Sequence, residues 1–104
     1  RIIGRKTLEL MHANHLPAEL LPWGILGLEN GGLGFGLGSR VMMDVASSAG
    51  PGSIGEYGWA GAAKTYYWVD PKEELVGLFM AQYMTGVALP DRAMRSLTYQ
   101  AIDD

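Results

Sequence analysis

"EYGWAGAAKTYYWVDPKEELVGLFM", residues 56–80, is the stretch on which the fold of this chain turns. Tyr57 to Val69 is dominated in its second half by aromatic and β-branched residues, and Glu74 to Met84 resumes in the same manner after "DPKE". Asp70 can start a turn and Pro71 presets the backbone of its second position, so the two runs read as strands of an antiparallel hairpin. The first strand has an unusual beginning. Ala60, Gly61, Ala62 and Ala63 offer almost nothing to pack, which leaves room for another group to approach the backbone.

Upstream, Leu33 to Asp44 alternates strictly. Leu33, Phe35, Leu37, Ser39, Val41 and Met43 point one way, and Gly34, Gly36, Gly38, Arg40 and Met42 point the other. This is the pattern of a strand whose glycine face lies beneath another backbone. The glycines do not form a dinucleotide-binding fingerprint: Gly32 and Gly34 would require glycine at Leu37, and Gly34 and Gly36 would require it at Ser39. "VASSAGPGSIG", residues 45–55, reads as a surface loop. Arg5 to His15 reads as a helix, with Leu8, Met11 and His15 at helical spacing and Pro17 ending the pattern before a Pro/Gly-rich connection to Gly32. Leu89 to Ile102 reads as a second helix, with Pro90 and Asp91 at its start and Met94, Leu97 and Ala101 on one face. The expected class is α+β: an antiparallel sheet of about three strands flanked by an N-terminal and a C-terminal helix.

At 104 residues the chain is at most one domain and can bury only a modest core. Its formal net charge of −3 gives no electrostatic case for nucleic acid. There is no cysteine, hence no disulfide framework, thiolate metal site or cysteine nucleophile. Apolar stretches are too short and interrupted for a membrane-spanning helix, and the chain reads as soluble. No charged-then-apolar leader precedes the first helical pattern.

The order "GLGFGLGSRV", then "GSIGEYGWAGAAKTYYWVDPKEELVGLFMAQ", then a terminal helix ending "LTYQAI", resembles the C-terminal end of the serine β-lactamase and penicillin-binding-protein superfamily. The nearest likeness is to class C-like β-lactamases and family VIII carboxylesterases. "GRKTLELMHANHLP" is similar to the helix that precedes the glycine-rich strand in those proteins, so the resemblance covers nearly the whole chain, residues 1–104, as a single partial domain. Members carry a Ser-x-x-Lys nucleophile motif, a second polar motif, and a third motif on a strand beside the nucleophile. The third motif resembles Trp59-Ala60-Gly61. "KTY" at Lys64 to Tyr66 is a decoy, because Tyr66 replaces the glycine and the run comes several residues too late.

The resemblance implies a catalytic role for the backbone N–H of Ala62, immediately after the motif, as one oxyanion donor; the nucleophile's own N–H would supply the other. It implies that Trp59, Ala60 and Gly61 line the substrate site. Trp59 stands where other relatives place a cationic lysine, which leans the implied substrate from a β-lactam carboxylate toward a small acyl ester. No cofactor or metal is implied. The implied location is bacterial, cytoplasmic or periplasmic.

The chain departs from the family in what it lacks. Ser39, Ser47, Ser48, Ser53 and Ser96 are followed three places later by Met42, Gly50, Pro51, Glu56 and Tyr99, so Ser-x-x-Lys is absent. Tyr57, Tyr66, Tyr67, Tyr83 and Tyr99 lead to Trp59, Trp68, Val69, Thr85 and Ala101, so Tyr-x-Asn is absent too. An oxyanion donor without a nucleophile binds but does not turn over. His12 and His15 lie three apart on the first helix but lack a third metal ligand, and Ser47-Ser48 lacks an assignable base. Asp70, Glu73, Glu74, Asp103 and Asp104 read as turn and terminus charges. The expectation is a segment of a serine hydrolase that leaves sheet surfaces open and pairs with a complementary N-terminal segment or with itself. The alternative is a non-catalytic module that self-associates or binds a partner.

Overall fold

The hairpin around "DPKE" forms as the sequence indicates. In the computed structural model of the protein, which describes residues 1–25, 28–29, 31–48, 50–84 and 91–104, strand β6 (Tyr66–Asp70) pairs antiparallel with β7 (Leu75–Phe79), from Tyr66 opposite Phe79 to Asp70 opposite Leu75. Asp70 Oδ1 accepts hydrogen bonds from the backbone N–H groups of Lys72 and Glu73 at 3.1 and 3.2 Å, which shapes the turn. Glu74 closes it with a φ of 53°.

The other elements, in chain order, are helix α1 (Arg5–Met11), strands β1 (Gly24–Ile25), β2 (Leu28–Glu29), β3 (Leu33–Phe35), β4 (Arg40–Met42) and β5 (Tyr57–Ala60), and helix α2 (Asp91–Gln100). The expected beginning of the second helix at Leu89 and Pro90 lies outside the described residues. β3 to β7 form one antiparallel sheet in which each strand lies beside its neighbour in sequence, while β1 and β2 form a separate two-stranded ribbon. The class is α+β, as expected, but the main sheet has five strands rather than about three.

The difference arises because two of the expected strands fold back on themselves. Tyr57 to Val69 is a hairpin: Gly61 N–H donates to Thr65 O at 2.9 Å, Lys64 N–H donates to Gly61 O at 3.1 Å, and Lys64 takes a left-handed φ of 68°. β5 and β6 thereby pair from Tyr57 opposite Val69 to Ala60 opposite Tyr66. The small residues Ala62 and Ala63 are the corners of a turn and not the middle of a strand. Leu33 to Asp44 reverses likewise, with Gly36 N–H donating to Ser39 O at 2.8 Å and Gly38 at a φ of 116°. β3 and β4 then pair from Leu33 opposite Met42 to Phe35 opposite Arg40. The third expected strand, Glu74 to Met84, is shortened: β7 ends at Phe79, and Tyr83 N–H donates to Ala63 O at 3.1 Å.

The expected glycine face is covered only in part: Gly36 lies under another backbone, Gly34 lies under side chains, and a Cβ at Gly38 would meet nothing within 4 Å. α1 ends at Met11 rather than His15, and its Met11 carbonyl accepts from Leu37 N–H at 2.8 Å. A Cβ added at Gly36 would collide with that same Met11 oxygen, and one at Gly34 with the Asn14 side chain and Met43. Asn14 Oδ1 also accepts from Phe35 N–H at 3.1 Å, and His15 N–H donates to Phe35 O at 2.8 Å. The outer edge of β3 is therefore closed by the segment that follows α1.

Burial centres on Val41, Met42, Tyr66 and Trp68. Gly77 lets the Trp68 ring lie against the backbone of β7, since a Cβ there would run into the ring. α2 covers Trp68 with the Arg95 guanidinium, whose carbon lies 5.3 Å from the ring centroid. The helix docks through Arg95 and Tyr99, while Leu97 and Ala101, placed on the apolar face by the sequence pattern, are exposed. Among the described residues no helix is long and apolar enough to cross a membrane.

Candidate functional site

The β5–β6 hairpin ends in an open groove of about 320 Å³, bordered by Trp59, Ala60 and Gly61 on one side and by Tyr67, Leu78 and Met80 on the other. Pairing of Trp59 with Tyr67, and of Tyr67 with Leu78, places these three side chains on one face of the sheet. The Trp59 ring is held by an aromatic group: its centroid lies 5.1 Å from Phe35, edge to face, and 5.9 Å from Trp23. Trp23 Nε1 is buried and has no hydrogen-bond acceptor among the described residues.

The structure thus brings Trp59, Ala60 and Gly61 to one groove. Ala62 sits just outside its lining, exposed, at the first corner of the turn. Its N–H has no acceptor among the described residues. Gly61 has a local reason to be glycine, because a Cβ there would strike Thr65 Oγ1 across the turn. The side chains around the groove are chiefly apolar and aromatic, which suits an uncharged group better than an anion.

A second polar assembly lies between the sheet and α2, and sequence reading missed it. Glu56 and Asp70 are both fully buried, which corrects the reading of Asp70 as a simple turn charge. Glu56 Oε1 forms an ion-pair contact with Arg95 Nη1 at 2.8 Å and lies 3.5 Å from Arg40 Nη1. Arg40 Nη2 also donates to the Tyr66 hydroxyl, and Arg95 Nη2 donates to Pro51 O at 2.9 Å. The Tyr99 hydroxyl lies between the two carboxylates, 2.9 Å from Glu56 Oε2 and 2.7 Å from Asp70 Oδ2. Burial, then the bond to Asp70 and the nearby charge of Glu56, pushes the Tyr99 hydroxyl far above the usual phenol range. For Arg95, burial works against the charge, but the hydrogen bond and charge of Glu56 outweigh it and raise the guanidinium further.

Two signals for this assembly are present in the sequence. Asp70 is in phase with Tyr66 and Trp68 on β6, and Arg95 and Tyr99 are four apart on α2. Buried acidic groups require such partners. The contacts of Arg95 and Tyr99 with Glu56 and Asp70 fasten α2 to the sheet.

The remaining candidates engage in local structure. His12 stacks on Tyr57 with centroids 3.4 Å apart, and its imidazole is held below the ordinary histidine range by burial. His15 Nε2 lies 2.7 Å from Leu10 O. Ser47 Oγ donates to Asp44 Oδ2 at 2.5 Å and Ser48 Oγ to Val45 O at 2.8 Å, as ordinary loop serines do. Among the described residues no group of three or more His, Cys, Asp or Glu side chains is placed to hold a metal ion.

No protein-family model matches the chain. It is 33% identical over 87 residues to protein Rv1367c of Mycobacterium tuberculosis, and equally to uncharacterized protein MT1414 from another strain of that organism. The match takes in 80% of this chain and 22% of each relative, so the chain spans about a fifth of the length of the curated relatives it matches.

Proposed function

We propose that this chain is the C-terminal part of a serine hydrolase of the β-lactamase and family VIII carboxylesterase type, and that it contributes the third motif and one oxyanion donor to a site completed by another segment. One observation carries this reading: Trp59-Ala60-Gly61, the run that resembles the third motif, borders an open apolar groove, and the next N–H, that of Ala62, is exposed without an acceptor among the described residues. An acyl group in the groove would present its carbonyl oxygen to Ala62 N–H. As a serine from the completing segment adds to the carbonyl carbon, the oxygen gains negative charge and the hydrogen bond strengthens, an effect worth roughly 3 kcal/mol for one such donor. Trp59, in place of a cation, directs the site toward a small neutral acyl ester.

The chain contains no Ser-x-x-Lys, so by this reading it does not turn over alone. The test is a chimera in which this chain replaces the matching stretch of the Mycobacterium tuberculosis relative. The expected result is labelling by a serine-reactive fluorophosphonate and hydrolysis of a chromogenic short-chain ester, with hydrolysis reduced on Gly61→Val. A folded chimera with neither labelling nor hydrolysis defeats the reading.

A second reading, a non-catalytic module that associates through its sheet, is favoured by the exposed apolar side chains of β7.

A further inference from the structure

One arginine reaches both ends of the strand that carries Trp59-Ala60-Gly61. Glu56, just before β5, has its fully buried carboxylate 3.5 Å from Arg40 Nη1. At the far end of β5, Ala60 pairs with Tyr66, which also borders the groove. The Tyr66 hydroxyl accepts from Arg40 Nη2, and the Arg40 guanidinium carbon lies 5.2 Å from the centre of the Tyr66 ring. Arg40 stands on β4 opposite Gly58, and with the strands in the order β4, β5, β6 its side chain crosses β5 to meet Tyr66. Arg40, Gly58, Ala60 and Tyr66 share one face of the sheet, and Trp59 and Tyr67 take the other. Gly58 has no side chain and Ala60 only a methyl group, so nothing on β5 blocks the crossing. Arg40 and Tyr66 are 8 and 6% exposed, so the link is internal to three paired strands and does not depend on what covers the sheet from outside.

We propose that Arg40 is a positioning residue for the hydrolase site: by tying Glu56 to Tyr66 across β5, it fixes the end of the motif strand and with it the direction in which Ala62 N–H points. The chemical consequence rests on the hydrolase reading; the link itself does not. An oxyanion donor acts only when aimed at the atom that gains charge, and a displacement of about 1 Å is costly in rate. Ala62 and Ala63 have no side chain long enough to anchor their turn, so the paired residues that flank it, Ala60 and Tyr66, set where the Ala62 N–H lies. Arginine suits the task because its two terminal nitrogens serve two acceptors, Glu56 through Nη1 and Tyr66 through Nη2, which the single ammonium of lysine does not reproduce. Arg95 also holds Glu56, at 2.8 Å, so the carboxylate keeps a cationic partner when Arg40 is changed.

Two readouts test this. In the chimera with the Mycobacterium tuberculosis relative, Tyr66→Phe and Arg40→Lys are each expected to lower kcat for a short-chain ester about tenfold while KM changes less than about twofold, the split produced by an interaction that matters in the transition state. The double variant is expected to lose no more than the larger single loss, because both changes cut the same link. The second readout needs no activity. In the chain itself, hydrogen exchange of Gly61 N–H, which donates to Thr65 O across the turn, is expected to quicken about tenfold in Tyr66→Phe, while the amides that pair β6 with β7 keep their rates. A chimera without hydrolysis defeats the hydrolase reading, and the exchange rates then decide whether Arg40 fixes the strand. Additive losses of kcat, a loss confined to KM, or Gly61 exchange that is unchanged or quickens equally throughout the sheet would each overturn the proposal.

Discussion

Tyr99, near the end of α2, places its hydroxyl 2.7 Å from Asp70 Oδ2 at the end of β6, a contact between positions 29 apart in sequence. The same hydroxyl reaches Glu56, just before β5, so one side chain spans the helix and two strands. A phenol carries a single hydrogen and two carboxylates compete for it, which makes the residue hard to replace. Tyr99→Phe keeps the ring and removes the oxygen, leaving fully buried Asp70 with only its two turn N–H bonds. The expected loss is about 1–3 kcal/mol of unfolding free energy, read from the urea midpoint. A loss under about 0.5 kcal/mol would mean that the contact contributes little.

Alkaline pH should act through the same hydroxyl. The fold favours neutral Tyr99, raising its pKa above that of the unfolded chain, where tyrosine titrates near about 10. This contribution is full below about pH 10 and is lost as pH rises from there toward the folded value. Thermal melts of the native chain should therefore decline above about pH 10, and Tyr99→Phe should decline less steeply. Parallel declines would assign the loss to other groups.

On the acid side the relevant group is His12. Burial against Tyr57 lowers its pKa, so the neutral ring is the form the fold prefers. Its contribution is present above the unfolded value of about 6.5 and is lost as pH falls through that value and then the folded one. His12→Phe retains a ring for Tyr57 and cannot titrate. The slope of melting temperature against pH below about 6.5 should be shallower in the variant, and an unchanged slope would contradict the assignment.

The contact of α1 with β3 makes Gly36 sensitive to a single methyl group. Gly36→Ala would drive its Cβ into the Met11 carbonyl oxygen, and the backbone shift needed should destabilise the chain by about 1–3 kcal/mol. Gly50→Ala is the control, because nothing lies within 4 Å of the added Cβ. Equal melting temperatures for the two variants would show that the α1 segment yields without cost.

Lys64 gives the opposite sign. It holds a left-handed φ of 68° in the β5–β6 turn, a conformation that costs a residue with a Cβ roughly 1–2 kcal/mol. Lys64→Gly relieves this but frees the unfolded chain, so the net expectation is neutral to about 1 kcal/mol more stable. Chemical denaturation measures it, and a clear destabilisation would place the role of Lys64 in its side chain.

Residue chemistry and order alone determined the α+β class, the antiparallel character, the "DPKE" hairpin and the close approach of a neighbouring backbone at Gly36. These are local matters: alternation, turn residues and the missing Cβ act within a few positions. The tertiary structure alone decided where Leu33–Asp44 and Tyr57–Val69 reverse. Alternation persists through the first reversal, and the second turns on Ala62, Ala63 and Lys64, residue types with no strong turn preference, so pairing between distant strands selects the register. It also decided that Glu56 and Asp70 are interior. A carboxylate in isolation belongs in water; only folding gathers Arg40, Arg95 and Tyr99 from other strands and the last helix to offset its desolvation. The groove has the same origin, for Trp59 and Met80 become neighbours only after two hairpins have turned.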